Sequence, residues 1–359
     1  MRTSILDIFE NNDDFIKISA PMVRYSKLQF RTLVRNYGCD ISYTPMIMAD
    51  SFCKSEQARL NEFTTNMYDT PLVVQFGVNT VHDFVGATHM VAPYSDGVEI
   101  NCGCPQRWAI TDGYGCALLS KPDLISDLIR QCRAHVQNNF TVSAKIRLLT
   151  DENKTIELCR QLEKAGVSYV TIHGRTQQQR SSQPINIESI RNVKQSLKIP
   201  VVANGDVKTY QDAVNLHLST GCEGIMVARG ILTNPTLFME INTEHTSIDC
   251  VQKWLNICFN TILSEYNKDS DIDLSFIKNI CSNKKFPNLT YQCFHHHLVF
   301  MLEKVLPKCE RKVFNSLNNF YDVFEFLYKK YNILPEQYDY DHTEIINDVH
   351  NDIKGGTTP

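Results

Sequence analysis

Gly97-Val98-Glu99-Ile100-Asn101-Cys102-Gly103-Cys104-Pro105 decides how this chain is to be folded. Residues 97–100 are short, apolar-rich and β-compatible, and Gly103 with Pro105 stops the element in a polar, cysteine-bearing turn. A cysteine at the mouth of a strand sits where a parallel α/β sheet collects its chemistry. Outward from this stretch, similar apolar runs recur at 16–22, 39–46, 72–76, 142–146, 168–173, 200–204 and 224–228. Amphipathic helical patterns lie between them at 28–37, 81–91, 122–136, 154–165, 187–197 and 209–218. Eight alternations over this length predict an α/β fold, a (β/α)8 TIM barrel. A doubly wound sheet is the competing architecture. It puts a Gly-rich turn after its first strand, whereas here that strand ends in Ala20-Pro21-Met22.

After residue 249 the pattern changes to helices at 251–266, 291–305 and 312–331, with no strands between them. The domain expectation is a barrel at 15–245, a smaller C-terminal helical domain at 250–332 and an acidic, disordered tail at 333–359. The polar stretch 268–289 is expected to be a loop or insertion. The chain has 359 residues, 43% hydrophobic and 21% charged, ordinary for a globular protein with a large core. Its net charge of −4 is divided unevenly: −2 over 1–249, +3 over 250–331 and −5 beyond. The helical segment is thus the one basic region, a weak cue for a polyanionic partner. The 13 cysteines are odd in number and scattered, which fits reduced thiols better than a disulfide framework. Met1 to Asp14 carries no secretory pattern, and no apolar run reaches membrane-spanning length. The expected setting is cytoplasmic, with the nucleus left open, and no membrane is expected to be involved.

Barrel enzymes build their sites at the C-terminal strand ends. Here those ends carry Pro21-Met22, Gln75, Asn101 with Cys104, Lys145 with Arg147, His173 with Arg175, Asn204-Gly205-Asp206 and Arg229-Gly230. The last two groups follow strands seven and eight, where such barrels hold phosphate with backbone N–H groups and a basic side chain. Lys145 lies near the barrel axis, where a flavin needs positive charge beside its N1/O2 edge. A phosphate clamp with a central lysine points to FMN rather than a dinucleotide.

These motifs, in this order, resemble the tRNA-dihydrouridine synthases from residue 18 to about 240. The stretch 96–105 resembles their active-site signature, and Ala20-Pro21-Met22 and Val74-Gln75-Phe76 resemble their flavin-contacting strands. Lys145-Ile146-Arg147, His173-Gly174-Arg175, Asn204-Gly205-Asp206 and Ala228-Arg229-Gly230 resemble four further family motifs. Residues 101–108 look most like the eukaryotic subtype acting at positions 20a and 20b of the D-loop. Two departures stand out: Glu99 replaces an aspartate common in the family, and Cys102 adds a second thiol near the acid.

The resemblance implies FMN as cofactor and NADPH as electron donor. Hydride would pass from flavin N5 to uracil C6, and Cys104 would protonate C5 from the opposite face as general acid, acting as thiol. It implies FMN contacts from Pro21, Met22, Val23, Gln75, Lys145, His173, Asn204, Gly205, Asp206, Ala228 and Arg229. Asn101, Arg147 and Arg175 are the candidates at the uracil site. Lys308, Arg311 and Lys312, at i, i+3 and i+4 of a helix, are candidates for tRNA phosphates, as are Lys284 and Lys285. No metal and no obligate protein partner are expected. Three consecutive histidines, His295 to His297, point about 100° apart on a helix and cannot converge on one ion, so they are read as helix contacts. Cys102 is read as packing. Two other functions compete: an FMN-dependent oxidoreductase acting on free pyrimidines, and a non-catalytic tRNA-binding protein.

Overall fold

The computed structural model describes residues 4–12, 14–240, 245–263, 272–283 and 289–336. Nine parallel strands build the sheet: β1 (Ile16–Ser19), β2 (Ile41–Tyr43), β3 (Ile47–Met48), β4 (Leu72–Gly77), β5 (Gly97–Cys102), β6 (Thr141–Leu148), β7 (Val170–Thr176), β8 (Val201–Asn204) and β9 (Gly224–Val227). Their order is β2-β1-β9-β8-β7-β6-β5-β4, and a β2–β4 pairing closes the ring. The result is an eight-stranded barrel, with the two-residue β3 as an addition on the end of β4. Each expected strand is present. Residues 39–46 hold a shorter strand than expected, followed by β3 and two unforeseen helices, Ala49–Lys54 and Glu56–Glu62.

Alternation along the strands explains the two cores. Ile16, Ile18, Ile41, Tyr43, Val73, Tyr169, Val202 and Met226 cluster inside the ring. Val98, Ile100, Cys102, Val142, Ala144 and Ile146 belong to the larger cluster shared with the helices outside. The inward positions of β4 to β7 also include Gln75, Glu99, Ser143 and Thr171, all buried. An N-terminal helix, Ile5–Glu10, plugs the bottom: Ile5 and Phe9 join the inner cluster, and the Phe9 ring lies 5.3 Å from Tyr169.

Among the described residues, five helices follow the barrel: Ile248–Leu263, Leu274–Asn283, Tyr291–Met301, Lys308–Asn315 and Phe320–Tyr331. Three expectations are corrected here. The stretch 268–289 contains the helix Leu274–Asn283, whose Ile277 and Ile280 are buried. The segment 312–331 is two helices, because Asn319 leaves the helical conformation and its side chain accepts from the Asp322 N–H to start a new one. Ile333 and Leu334, placed in the expected tail, pack on the core, and the Leu334 carbonyl accepts from Gln252 at 2.6 Å. Lys284, Lys285 and residues 337–359 lie outside the described residues.

His296 and His297 dock the helical segment on the barrel loop at Tyr25, while His295 ties two helices of the segment together. Ring nitrogens of His295 and His297 lie 2.9 Å from the Phe314 carbonyl and 3.1 Å from the Tyr25 carbonyl. The His296 Nδ1 lies 3.5 Å from the Tyr25 hydroxyl. The three rings act as fasteners, two of them on Tyr25 and one on Phe314. Burial holds His297 neutral, its pKa pushed down to about 3, while it stacks on Phe30 at 4.5 Å.

A cationic strand-end cavity beside a cysteine turn

β5 carries Asn101 and Cys102 to the barrel rim, where the chain turns sharply. The Asn101 side-chain oxygen accepts from the N–H groups of Gly103 and Cys104, at 3.2 and 2.9 Å. This Asx turn reverses the alternation. Cys102 stays on the outer face, fully buried, with its thiol pKa pushed far up by burial. Cys104, in the turn that follows β5, is half-buried. Its carbonyl accepts from the Cys116 N–H at 3.0 Å. Arg147 on β6 ties the turn from the other side: Nε donates to the Gly103 carbonyl at 2.9 Å, and Nη1 to the Thr176 carbonyl at 3.0 Å.

Lys145, two residues before Arg147, faces Asn101 in register across β5 and β6. Its Nζ donates to Asn204 Oδ1 at 2.9 Å, and Asn204 Nδ2 donates to the Met226 carbonyl at 2.8 Å. A backbone carbonyl thus fixes which end of the Asn204 amide meets the lysine. Burial lowers the Lys145 pKa, opposed by the carboxylate of Glu99, whose own pKa burial raises.

Lys145, Asn204 and Met226 border a cavity of about 650 Å³ at the ends of β1 and β6 to β9, which Asn101, Arg147 and Cys104 do not line. It brings together Pro21, Lys145, His173, Asn204, Gly205, Asp206, Ala228 and Arg229 of the expected set. It also takes in Lys208, Thr233, Asn234, Glu303, Lys304 and Arg311, of which only Arg311 had been singled out in the sequence. Lys208 follows the Asn204-Gly205-Asp206 turn by two residues and carried a readable signal. Lys304 did not, because only the docking of the helical segment brings it to the mouth. His173 is neutral: burial first, then Lys145, Arg147, Arg175 and Arg229, pushes its pKa down to about 2. Such a concentration of positive charge calls for an anionic ligand.

The remaining expected residues sit elsewhere. Met22 and Val23 lie on the loop after β1, with Val23 54% exposed, and neither lines the cavity. Gln75 is buried, its amide engaged by Glu99 and Asn101. Arg175 is buried rather than presented to a ligand: it donates to the Gln183 and Ser181 carbonyls and pairs with Asp206. It thereby holds the 205–206 turn, where Gly205 has φ +134° and a side chain would strike Ile185 at 2.5 Å. Lys308, Arg311 and Lys312 do share one face, around a depression of about 370 Å³ that also borders Phe300 and Asn315.

The fold and the site together define a parallel (β/α)8 barrel with a cationic cavity at its strand ends beside a cysteine-bearing turn. The family is settled by comparison: the dihydrouridine synthase (Dus) model matches residues 18–296. The chain belongs to that family of flavin-dependent oxidoreductases. It is 42% identical to the human tRNA-dihydrouridine(20a/20b) synthase NAD(P)+-like protein, over 90% of this chain and 93% of that one. The tRNA-dihydrouridine(20a/20b) synthase of Schizosaccharomyces pombe is 42% identical over 82% of each chain. The Saccharomyces cerevisiae protein of the same name is 38% identical over 88% of this chain and 80% of its own. No described helix is long and apolar enough to cross a membrane.

Proposed function

We propose that this protein reduces uridine to 5,6-dihydrouridine at positions 20a/20b of the tRNA D-loop, with FMN as cofactor and NADPH as electron donor. The barrel, 15–245, is the catalytic domain and the helical segment, 250–332, the tRNA-binding one. The observation that carries the reading is the side-by-side register of Asn101 and Lys145. It sets the acid turn and the buried cation edge to edge, as a reaction needing both a proton and an electron-rich cofactor requires.

The residues fit FMN. A side-chain carbon at Gly230 would lie 2.3 Å from the Val207 carbonyl, so the backbone there is pressed close, as a phosphate-cradling turn demands. Asn204, Gly205, Ala228 and Arg229 would hold the phosphate, and Lys145 the N1/O2 edge, with Pro21 and His173 on the cavity wall. Asp206 lines the cavity and pairs with Arg175, whereas Met22, Val23 and Gln75 stand outside its lining and would touch the cofactor only where it extends beyond the cavity. When bound, the flavin supplies the hydride that saturates the uracil 5,6 bond. Cys104 supplies the matching proton at C5. Asn101 keeps one amide N–H for the uracil edge, because its oxygen is engaged by the turn. Arg147 and Arg175 act at the substrate side by fixing the loops on which uracil rests. The target base must be extruded from the folded tRNA to reach this rim. Lys308, Arg311 and Lys312 contact tRNA phosphates.

The purified protein should be yellow and release FMN on denaturation, and Lys145→Ala should lose much of it. With NADPH it should add two hydrogens to a uridine at 20a or 20b of tRNA, located by mass spectrometry of nuclease fragments. Release of FAD would defeat the single-phosphate reading. Turnover of free uridine at a rate matching tRNA would defeat the assignment of substrate.

A further inference from the structure

Between Glu99 and the cysteine turn runs a chain of hydrogen bonds with only one consistent direction. The N–H groups of Gly103 and Cys104 can only donate, and both meet the side-chain oxygen of Asn101. Asn101 must therefore turn its NH2 the other way, where it donates to Gln75 Oε1 at 2.8 Å. Gln75, so oriented, donates Nε2 to Glu99 Oε1 at 2.7 Å. The second carboxylate oxygen of Glu99 accepts from the Thr171 hydroxyl at 3.3 Å. Gln75, Glu99 and Thr171 are at most 1% exposed and Asn101 8%, so water does not repair a mismatch. An amide has one donating and one accepting end, and in a buried chain turning one forces the next.

We propose that Glu99 is a positioning residue: it is the accepting terminus of a polarity relay that orients the Gln75 and Asn101 amides and, through them, holds the turn presenting Cys104. As a statement about catalysis this rests on Cys104 being the acid. As a statement about the turn it does not.

The relay makes an unusual demand. Asn101→Asp still accepts from the turn but also accepts toward Gln75. The Gln75 amide then reverses, and its oxygen meets the Glu99 carboxylate, two acceptors face to face. Adding Glu99→Gln supplies a donor there while its own oxygen still accepts from Thr171, and every bond is restored with Gln75 reversed. Adding Glu99→Met removes the same charge and supplies no donor. Gln75 is the hydrogen-bonded link between the two substituted positions, and because Lys145 also feels the charge at both, the Glu99→Met arm separates loss of charge from gain of a donor.

The readout is iodoacetamide alkylation of Cys104 in the protein as purified, mapped by mass spectrometry against exposed Cys309. Asn101→Asp should raise the Cys104 rate about tenfold by loosening the turn. The Glu99→Gln double variant should return it close to wild type, and the Glu99→Met double variant should not. If Asn101→Asp alone does not accumulate as folded protein, recovery of folded protein with Glu99→Gln and not with Glu99→Met is the same result. Equal rescue by Gln and Met would mean charge balance alone, and no rescue by Gln would mean no relay; either overturns the proposal. A fully active Cys104→Ala enzyme would instead defeat the acid assignment and leave the relay standing.

Discussion

The barrel rim and the basic helix Lys308–Asn315 both gather positive charge, and they hold it in opposite ways. At the rim the three cations on β6 and β7 are bonded: Lys145 to Asn204, Arg147 to two carbonyls, Arg175 to two carbonyls and Asp206. On the helix, Lys308 and Lys312 are exposed and make no ion pair or side-chain hydrogen bond among the described residues. The rim is a preorganised site, where a misplaced atom costs the whole reaction. The helix is a field of mobile charges, whose contributions are small, additive and screened by salt. Substitutions should therefore have large and specific effects at the rim and graded ones on the helix.

The largest expected effect is at Cys104. Cys104→Ala should keep its flavin and its reduction by NADPH, yet form dihydrouridine about 10²–10⁴-fold more slowly, the range for a missing general acid. Cys102→Ala, on the outer face and buried, should stay near wild type in rate. If the two variants exchanged behaviour under single-turnover kinetics, the Asx turn would not be what selects the acid.

A second test asks how tightly the rim is built. Gly115 has φ +59°, and a side-chain carbon there would lie 2.6 Å from the Cys104 carbonyl and 2.8 Å from its Cβ. Gly115→Ala should displace the acid turn, lowering dihydrouridine formation about 10–100-fold with flavin content unchanged. Gly221 has a similar φ of +69° with nothing within 4 Å. Gly221→Ala therefore carries the same left-handed strain, about 1–2 kcal/mol, without the clash. It should lower the melting temperature and leave the rate alone. Equal losses of rate in both variants would mean that general destabilisation, rather than contact with Cys104, explains the effect.

The same contrast explains what could be read from the sequence. The strands were legible because each is a short apolar run bounded by Gly, Pro or polar residues, and their ends carry compact motifs such as Asn204-Gly205-Asp206. What joins those ends was not. Gln75, the Glu99–Asn101 pair and Thr171 come from three separate strands and meet only once β4 to β7 lie side by side. The close approach of Gly115 to Cys104 has no local signature either. In the helical segment the apolar positions of Leu274–Asn283 stand between Lys-, Asn- and Ser-rich flanks that read as loop. The N-terminal plug was missed because six residues are too few for helical periodicity to show.

The smallest expected effect tests the helix. Lys308 and Lys312 fall on one face with Arg311. Arg311 also lines the cavity and donates to the Glu303 carbonyl at 2.8 Å, so replacing it would mix two roles. The double variant Lys308→Ala with Lys312→Ala leaves the cavity untouched. Each phosphate contact contributes about 0.7–0.9 to the slope of log affinity against log salt. Losing two should flatten the slope for tRNA by about 1–2, weaken binding most at low salt, and leave flavin content and reduction by NADPH as in wild type. The loss should be nearly the same for tRNAs of different sequence, because such contacts position the RNA and read no bases. A double variant with an unchanged slope would remove this face from the tRNA path. The charge that meets the phosphates would then have to be that of the rim itself, around Arg107 and Lys208, and the division between a rigid site and a mobile field would no longer hold.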